Sequence, residues 1–390
     1  MKRSWQNPIT LLILMSVAMP LAFNAWNALL NNFVVERAAF TGVEIGILQS
    51  LREVPGFLTF TIIFVLLIVK EQMLALLSLL LLGIGVAMTG FFPFEYGLYF
   101  TTVLMSIGFH YFEAVKESLS LQWLNKKEAP QVLGRLLAVG SVTSLAVYAS
   151  LYVFLQWVQL DYQALFLMAG TLCLLLALFM WFAFPEFPGK SEQHTHLVLR
   201  KRYWLYYALT FFSGARRQIF MVFAAFLMVE KFGYSAAQVS LLFLINYAFN
   251  WLFAERIGAY ISVIGERRAL VIEYIGLIIV FTAYAFVESA TMAAALYVID
   301  HMFFALCIAI TTYFQKIADQ RDVASTAGVS FTISHIAAVV IPAALGLVWI
   351  HSTAIVFLCG TTFAACSLAL AFKVPDAPAS GNETRKLALA

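Results

Sequence analysis

Six consecutive residues, Ser213-Gly214-Ala215-Arg216-Arg217-Gln218, sit near the middle of an apolar run from Trp204 to Met228. A membrane-spanning helix needs about 20 mostly apolar residues, and a basic side chain at its centre costs roughly 2.5–3.5 kcal/mol. Two arginines so far from either end must face protein or water. Successive side chains on a helix diverge by about 100°, which predicts one arginine towards a water-filled space and the other towards a neighbouring helix. A guanidinium suits bidentate binding of carboxylate or phosphate, and it suits an internal ion pair equally well. The small residues Ser213, Gly214 and Ala215 would admit a second backbone close by.

Other polar groups interrupt apolar runs in the same way. Asn24, Asn27 and Asn31 form one helical stripe beyond a kink expected at Pro20, suited to amide bonding between helices or to ligand contact. His110, Glu113 and Glu117 share a helix face, with Lys116 in reach of Glu113. Arg52-Glu53 precede Pro55-Gly56, Asp300-His301 precede Cys307, and His335 lies among Ser330, Thr332 and Ser334. Arg52, Lys116, Arg216 and Arg217 balance Glu53, Glu113, Glu117 and Asp300. Facing lipid, these groups would cost roughly 20–28 kcal/mol together, so a shared polar interior is expected. Carboxylates in such an interior can carry protons, which makes Glu113, Glu117, Asp300 and His301 the coupling candidates. His110, Glu113, Glu117, Asp300, His301 and His335 also offer nitrogen and oxygen ligands, but no spacing demands a metal and four buried cations repel a bare one. No metal and no cofactor is expected. A metal wrapped in an anionic chelator such as a siderophore would escape that repulsion.

The elements that must position these residues follow from composition. Of 390 residues, 62% are hydrophobic and only 12% charged, with a mean hydropathy of +0.88. A soluble domain has about 25% charged residues, so this is an all-α integral membrane protein. The net charge of +3 gives no reason to expect nucleic acid as a partner, because the basic residues mark topology. Cys173, Cys307, Cys359 and Cys366 all lie within apolar runs without CxxC spacing and read as small buried hydrophobes. Lys2 and Arg3 followed by an apolar run mimic a signal peptide, but the run continues to Val35 and is read as a first membrane helix.

Twelve spans are expected, at about 9–35, 42–69, 72–92, 95–124, 130–158, 162–185, 203–230, 236–263, 269–288, 290–317, 326–350 and 353–373. The longest connection, Pro185 to Arg202, predicts a six-helix bundle over 1–186, a cytoplasmic linker over 187–202, a second bundle over 203–375 and a cytoplasmic tail over 376–390. With the N-terminus in the cytoplasm, Lys2, Arg3, Lys70, Lys126, Lys127, Arg135, Lys190, Arg200, Lys201, Arg202, Arg256, Arg267, Arg268, Lys316, Arg321, Lys373, Arg385 and Lys386 lie inside, and only Arg37 and Lys231 outside. That distribution, 18 against 2, puts both termini in the cytoplasm. Asn382-Glu383-Thr384, a glycosylation pattern, then falls on the wrong side to be used.

A weak repeat supports two halves. Val35-Glu36-Arg37 returns as Val229-Glu230-Lys231 at an offset of 194, at which Gly134 meets Gly328 and Arg52 meets Asn246. Leu121-Gln122-Trp123-Leu124 meets Phe314-Gln315-Lys316-Ile317 at 193. Six and six helices in the same orientation are the pattern of parallel transporter repeats. The chain resembles the major facilitator superfamily over nearly its whole length. The family's loop signature, G-x-x-x-D-R-x-G-R-[RK], has a degenerate counterpart at Gly258 to Arg268, with Ser262 and Val263 where aspartate and arginine belong. The loop after the second span, Lys70-Glu71-Gln72, lacks the signature, and Gly134 to Tyr148 lacks the Gly-Pro motif of the family's drug/proton antiporters.

The resemblance implies that the first, fourth, seventh and tenth spans line a central cavity. Asn24, Asn27, Arg52, Arg216, Arg217, Gln218 and Asn246 then become substrate-binding candidates, and Glu53, His110, Lys116 and His335 further cavity residues. The expected activity is alternating-access, proton-coupled transport of a small anionic or zwitterionic organic solute, by a monomer in the bacterial inner membrane. Alternatives are transport of a metal chelate or metal ion, efflux, or a membrane enzyme or receptor. HExxH, Gly-x-x-x-x-Gly-Lys-[Ser/Thr] and Gly-x-Ser-x-Gly are all missing from the sequence.

Overall fold

A computed structural model describes residues 5–124, 129–187, 199–319 and 323–385. Lys2, Arg3, Lys126, Lys127, Lys190, Arg321, Lys386 and most of the expected linker lie outside the described residues. The apolar runs are helices: α1 Pro8–Ala38, α2 Gly42–Phe57, α3 Ile62–Leu66, α4 Glu71–Thr89, α5 Glu95–Trp123, α6 Ala129–Val153 and α7 Tyr162–Ala183. They continue as α8 Trp204–Ile219, α9 Ala225–Glu230, α10 Ala236–Ile264, α11 Glu266–Ala285, α12 Ala290–Phe304, α13 Ile308–Ile317, α14 Val323–Trp349 and α15 Thr353–Ala371.

Their ends are set by local chemistry. Asn7 accepts the Thr10 backbone N–H at 2.9 Å and Pro8 occupies the first turn of α1, where its missing N–H costs nothing. Asp161, Ser289 and Ser352 cap α7, α12 and α15 in the same way. Inside α14, Pro342 interrupts the backbone ladder, and the Ser50 hydroxyl accepts the Ala343 N–H at 2.9 Å.

Ten described helical stretches are long and apolar enough to cross a membrane. The second and fourth expected spans are not among them, for physical reasons. Leu58–Thr61 is a 3₁₀ turn that breaks the second into short pieces, and the charges of Arg52 and Glu53 dilute it. α5 carries Glu113, Lys116 and Glu117 in its second half. Outward side chains are apolar in a way no soluble protein shows: Ile68 is 88% exposed, Phe182 83% and Val263 84%. Lipid is the solvent that makes such a surface stable. The chain is a multi-pass membrane protein.

The chain forms two compact units. One gathers the described residues of 1–40, 51–194 and 234–247, the other those of 41–50, 195–233 and 248–390. In the first, α1 packs on α6 and α7 while α4 packs on α5 and α7. In the second, α8 packs on α14 and α15 while α11 packs on α12 and α15. The two packing patterns are the same, which is what a repeated set of helices requires.

Candidate functional site

Helix irregularity accompanies the charges. The 3₁₀ turn at Leu58–Thr61 follows Arg52-Glu53, a π turn at Phe220–Ala224 follows Arg216-Arg217, and a 3₁₀ turn at Ala305–Cys307 follows Asp300-His301. Such local unwinding exposes backbone polar groups and recurs at functional positions.

In the first unit, Arg52 and Glu53 form a buried ion pair with Arg52 Nε 3.0 Å from Glu53 Oε1. Ser106 donates to the Arg52 carbonyl and lies 3.0 Å from His110 Nδ1, while His110 Nε2 stands 3.9 Å from Glu53 Oε2. α2 and α5 thus meet through an Arg-Glu-His-Ser cluster. Further along α5, Glu113 is half-buried within electrostatic reach of Lys116 and Glu117. Its Oε1 has no hydrogen-bond partner among the described residues. The Lys116 ammonium rests over the Phe112 ring at 5.6 Å, and Glu117 is exposed. On α1, Asn24 is buried and donates to Ser144 of α6 at 2.8 Å, so it ties two helices together. Asn27 is half-buried on the same stripe and Asn31 buried. Asn246, the repeat counterpart of Arg52, is 2% exposed with an unpartnered Oδ1 among the described residues.

In the second unit the adjacent arginines diverge. Arg216 is 1% exposed: its Nη2 donates to Glu273 Oε1 at 2.9 Å, its Nη1 to Ser367 at 3.3 Å, and its guanidinium covers the Tyr274 ring at 4.8 Å. Asp300, 3% exposed, lies within electrostatic reach of both Arg216 and Glu273. The approach of α12 to α11 depends on Gly276, where a Cβ would stand 2.4 Å from the Phe303 ring. The two helices run antiparallel, with Tyr284 of α11 donating to the Ala293 carbonyl of α12 at 2.9 Å, so Glu273 and Asp300 lie one turn to either side of that approach.

Arg217 is exposed; its Nε contacts Met221 sulfur at 3.3 Å, and no carboxylate pairs with it among the described residues. It lies within electrostatic reach of His301 and Cys307. His301 shares a 2.9 Å hydrogen bond with Asn250 of α10, so Asp300 and His301 serve different neighbours despite being adjacent. Gln218 is buried with an unpartnered Oε1 among the described residues, and His335 is half-buried on α14. Gly214 permits the close approach anticipated from its size, since a Cβ there would lie 3.3 Å from Ser334 Cα.

Sequence reasoning overlooked Glu273. It sits just inside the expected ninth span, behind the charged run Glu266-Arg267-Arg268, and its place in the otherwise apolar Ala269–Phe281 was the available signal. Ser106, Ser144, Asn250 and Ser367 carried none, because their roles depend on partners far away in the chain.

No curated protein matches this sequence. Among solved structures, a point variant of the nucleoside transporter NupG is similar with a TM-score of 0.76 at 16% identity, covering 94% of this chain and 98% of that one. NupG itself gives 0.74 at 15% identity with the same coverage. A bacterial homologue of the human lysosomal transporter Spinster, inward-facing and occupied, gives 0.71 at 12% identity over 97% of this chain and 98% of that one. At these identities the likeness establishes the fold. Residues 7–342 match the sequence model of the Major Facilitator Superfamily. The chain is a transporter of that family, the major facilitator superfamily, and not an enzyme.

Proposed function

We propose that this protein moves a small anionic or zwitterionic organic solute across the bacterial inner membrane by proton-coupled alternating access. It does so as a monomer of twelve spans with both termini in the cytoplasm. Its halves are the bundles 1–186 and 203–375, and residues 187–202 link them. One observation carries the choice of solute. Arg217 stands in the middle of a long apolar run, exposed and without a carboxylate partner among the described residues, whereas Arg52 and Arg216 are each matched by a glutamate. A cation in that position is stabilised by water and by an arriving carboxylate or phosphate. His301, hydrogen-bonded to Asn250, lies within electrostatic reach of it, and Gln218 on the same helix offers further hydrogen-bonding capacity. Glu113, Glu117 and Asp300 are the proton carriers of this account.

The test is a thermal-shift screen of the purified protein against small carboxylates, amino acids, phosphate monoesters, ferric siderophores and nucleosides. A ligand at 100 times its dissociation constant stabilises the folded state by about 2.7 kcal/mol. For an anionic hit, Arg217→Lys should weaken binding markedly, because an ammonium lacks the planar fork. Stabilisation by a nucleoside alone, undiminished in R217K, would replace this reading by that of an uncharged solute.

A further inference from the structure

The third and ninth expected spans begin with the same fastening. Glu71 opens α4 and accepts Ser118 Oγ at 3.2 Å and Gln122 Nε2 at 2.5 Å, both near the end of α5. Gln72 beside it donates to the Pro185 carbonyl at 3.0 Å and accepts the Phe187 N–H at 2.9 Å, in the segment that leaves α7. Glu266 and Arg267 open α11 and stand 195 residues after Glu71 and Gln72, and Lys316 stands 194 after Gln122. Glu266 accepts Lys316 Nζ at 2.6 Å near the end of α13, and Arg267 pairs with Asp376 in the segment that leaves α15. In each unit the first residue of one helix thus holds the end of the span that follows, and the second residue holds the chain leaving the last helix.

The two fastenings differ in what they hold. α5 runs unbroken from Glu95 to Trp123, whereas the 3₁₀ turn Ala305–Cys307 divides its counterpart into α12 and α13. A short helix beyond such a break can turn independently of the one before it. α13 is tied at its far end, where Tyr313 donates to the Glu383 carbonyl at 2.5 Å in addition to the Lys316 pair. The segment holding Glu383 closes on itself: the Arg385 N–H donates to the Lys373 carbonyl at 2.7 Å and Asn382 Nδ2 to the Ala377 carbonyl at 2.8 Å. Val374, Pro375 and Pro378 of that segment are buried. Glu266 is 2% exposed, but the Asp376 side chain is 67% exposed, so its pair with Arg267 is open to screening and to competition from water.

We propose that residues 374–385 are a releasable strap on the tenth span. Fastened through Arg267–Asp376 and Tyr313–Glu383, they fix the angle of α13 to α12; released, they let α13 pivot at Ala305–Cys307. The pivot lies just beyond Asp300-His301, so the strap governs how this span leaves that region without touching either residue. In the first unit the matching fastening holds the end of an unbroken helix and acts as a brace, not a switch. The strap requires neither the solute nor the proton of the proposed transport cycle, so its failure would leave that reading standing.

The test is hydrogen exchange followed by mass spectrometry on the full-length protein in detergent. Asp376→Arg should speed exchange across 308–317 by about three- to fivefold, the range that a lost exposed ion pair permits, and leave 290–304 unchanged. Adding Tyr313→Phe removes the second fastening and should speed it further. The exchanged pair R267D/D376R should return exchange to the wild-type rate, which separates the ion pair from a general loss of fold. Salt at about 0.5 M should act on the wild type as D376R does and add little to D376R itself. In a background lacking the other three cysteines, Cys307 at the pivot should react faster with N-ethylmaleimide in D376R/Y313F. Wild-type exchange across 308–317 in D376R/Y313F would overturn the strap. So would faster exchange spread evenly over α11, α12 and α13, because that pattern is loosening of the whole unit and not a pivot.

Discussion

Arg216→Ala tests whether this arginine belongs to the scaffold. The side chain is 1% exposed and its partner Glu273 0% exposed, so truncation strands a carboxylate where water cannot reach it. Breaking a fully buried pair by removing one member costs about 3–5 kcal/mol. The lost Ser367 hydrogen bond and the lost contact with Tyr274 would each add about 1 kcal/mol in isolation, but they share the same atoms and do not sum. The expected destabilisation is therefore about 3–5 kcal/mol at neutral pH. It shrinks as pH is lowered, because a protonated Glu273 carries no charge to strand. Removing that charge as well, in R216A/E273Q, should recover most of the loss. Arg217→Ala, one position along the chain, should change stability by about 0.5 kcal/mol or less, since its exposed guanidinium lacks an ion-pair partner among the described residues. Chemical denaturation of detergent-solubilised protein reads all three variants against the wild type. R216A unfolding like the wild type, or R217A losing as much as R216A, would refute the division of labour between the two arginines.

Two further outcomes follow from geometry and charge. Gly276→Val should destabilise by about 1–3 kcal/mol, because its Cβ would need the space of the Phe303 ring 2.4 Å away; wild-type melting would show that α11 and α12 are not held this tightly. Single cysteines at Gln193 and Phe232, in a background lacking the four native cysteines, should label oppositely from outside whole cells, with only position 232 reactive to an impermeant maleimide; labelling of position 193 would invert the topology.

Much of the architecture was legible in the sequence, since a bilayer imposes length and apolarity on every element that crosses it. The helix from Tyr162 and the helix from Thr353 announce themselves through apolar runs with Asp161 and Ser352 at their caps. The 3₁₀ and π turns beside the charged positions were not legible. They depend on how neighbouring helices satisfy unwound backbone, and no local propensity encodes that. The site was half legible. Arg216 and Arg217 stood out as charges out of place, and their 100° divergence predicted that one would be buried against protein, but which one depended on Glu273 and Ser367 arriving from α11 and α15. Asp300 and His301 are adjacent coupling candidates in the chain, yet Asp300 is buried within electrostatic reach of Arg216 while His301 bonds Asn250, because consecutive helical side chains diverge.

The account stands most directly on uptake into proteoliposomes under an imposed inward proton gradient, using a panel of labelled small carboxylates, amino acids and phosphate monoesters. The prediction is uphill accumulation of at least one anionic or zwitterionic member, abolished by collapsing the gradient and lost in R217A. In D300N the same solute should still exchange by counterflow but no longer accumulate. Accumulation that survives in R217A and D300N alike, or that is confined to an uncharged solute indifferent to the gradient, would contradict it.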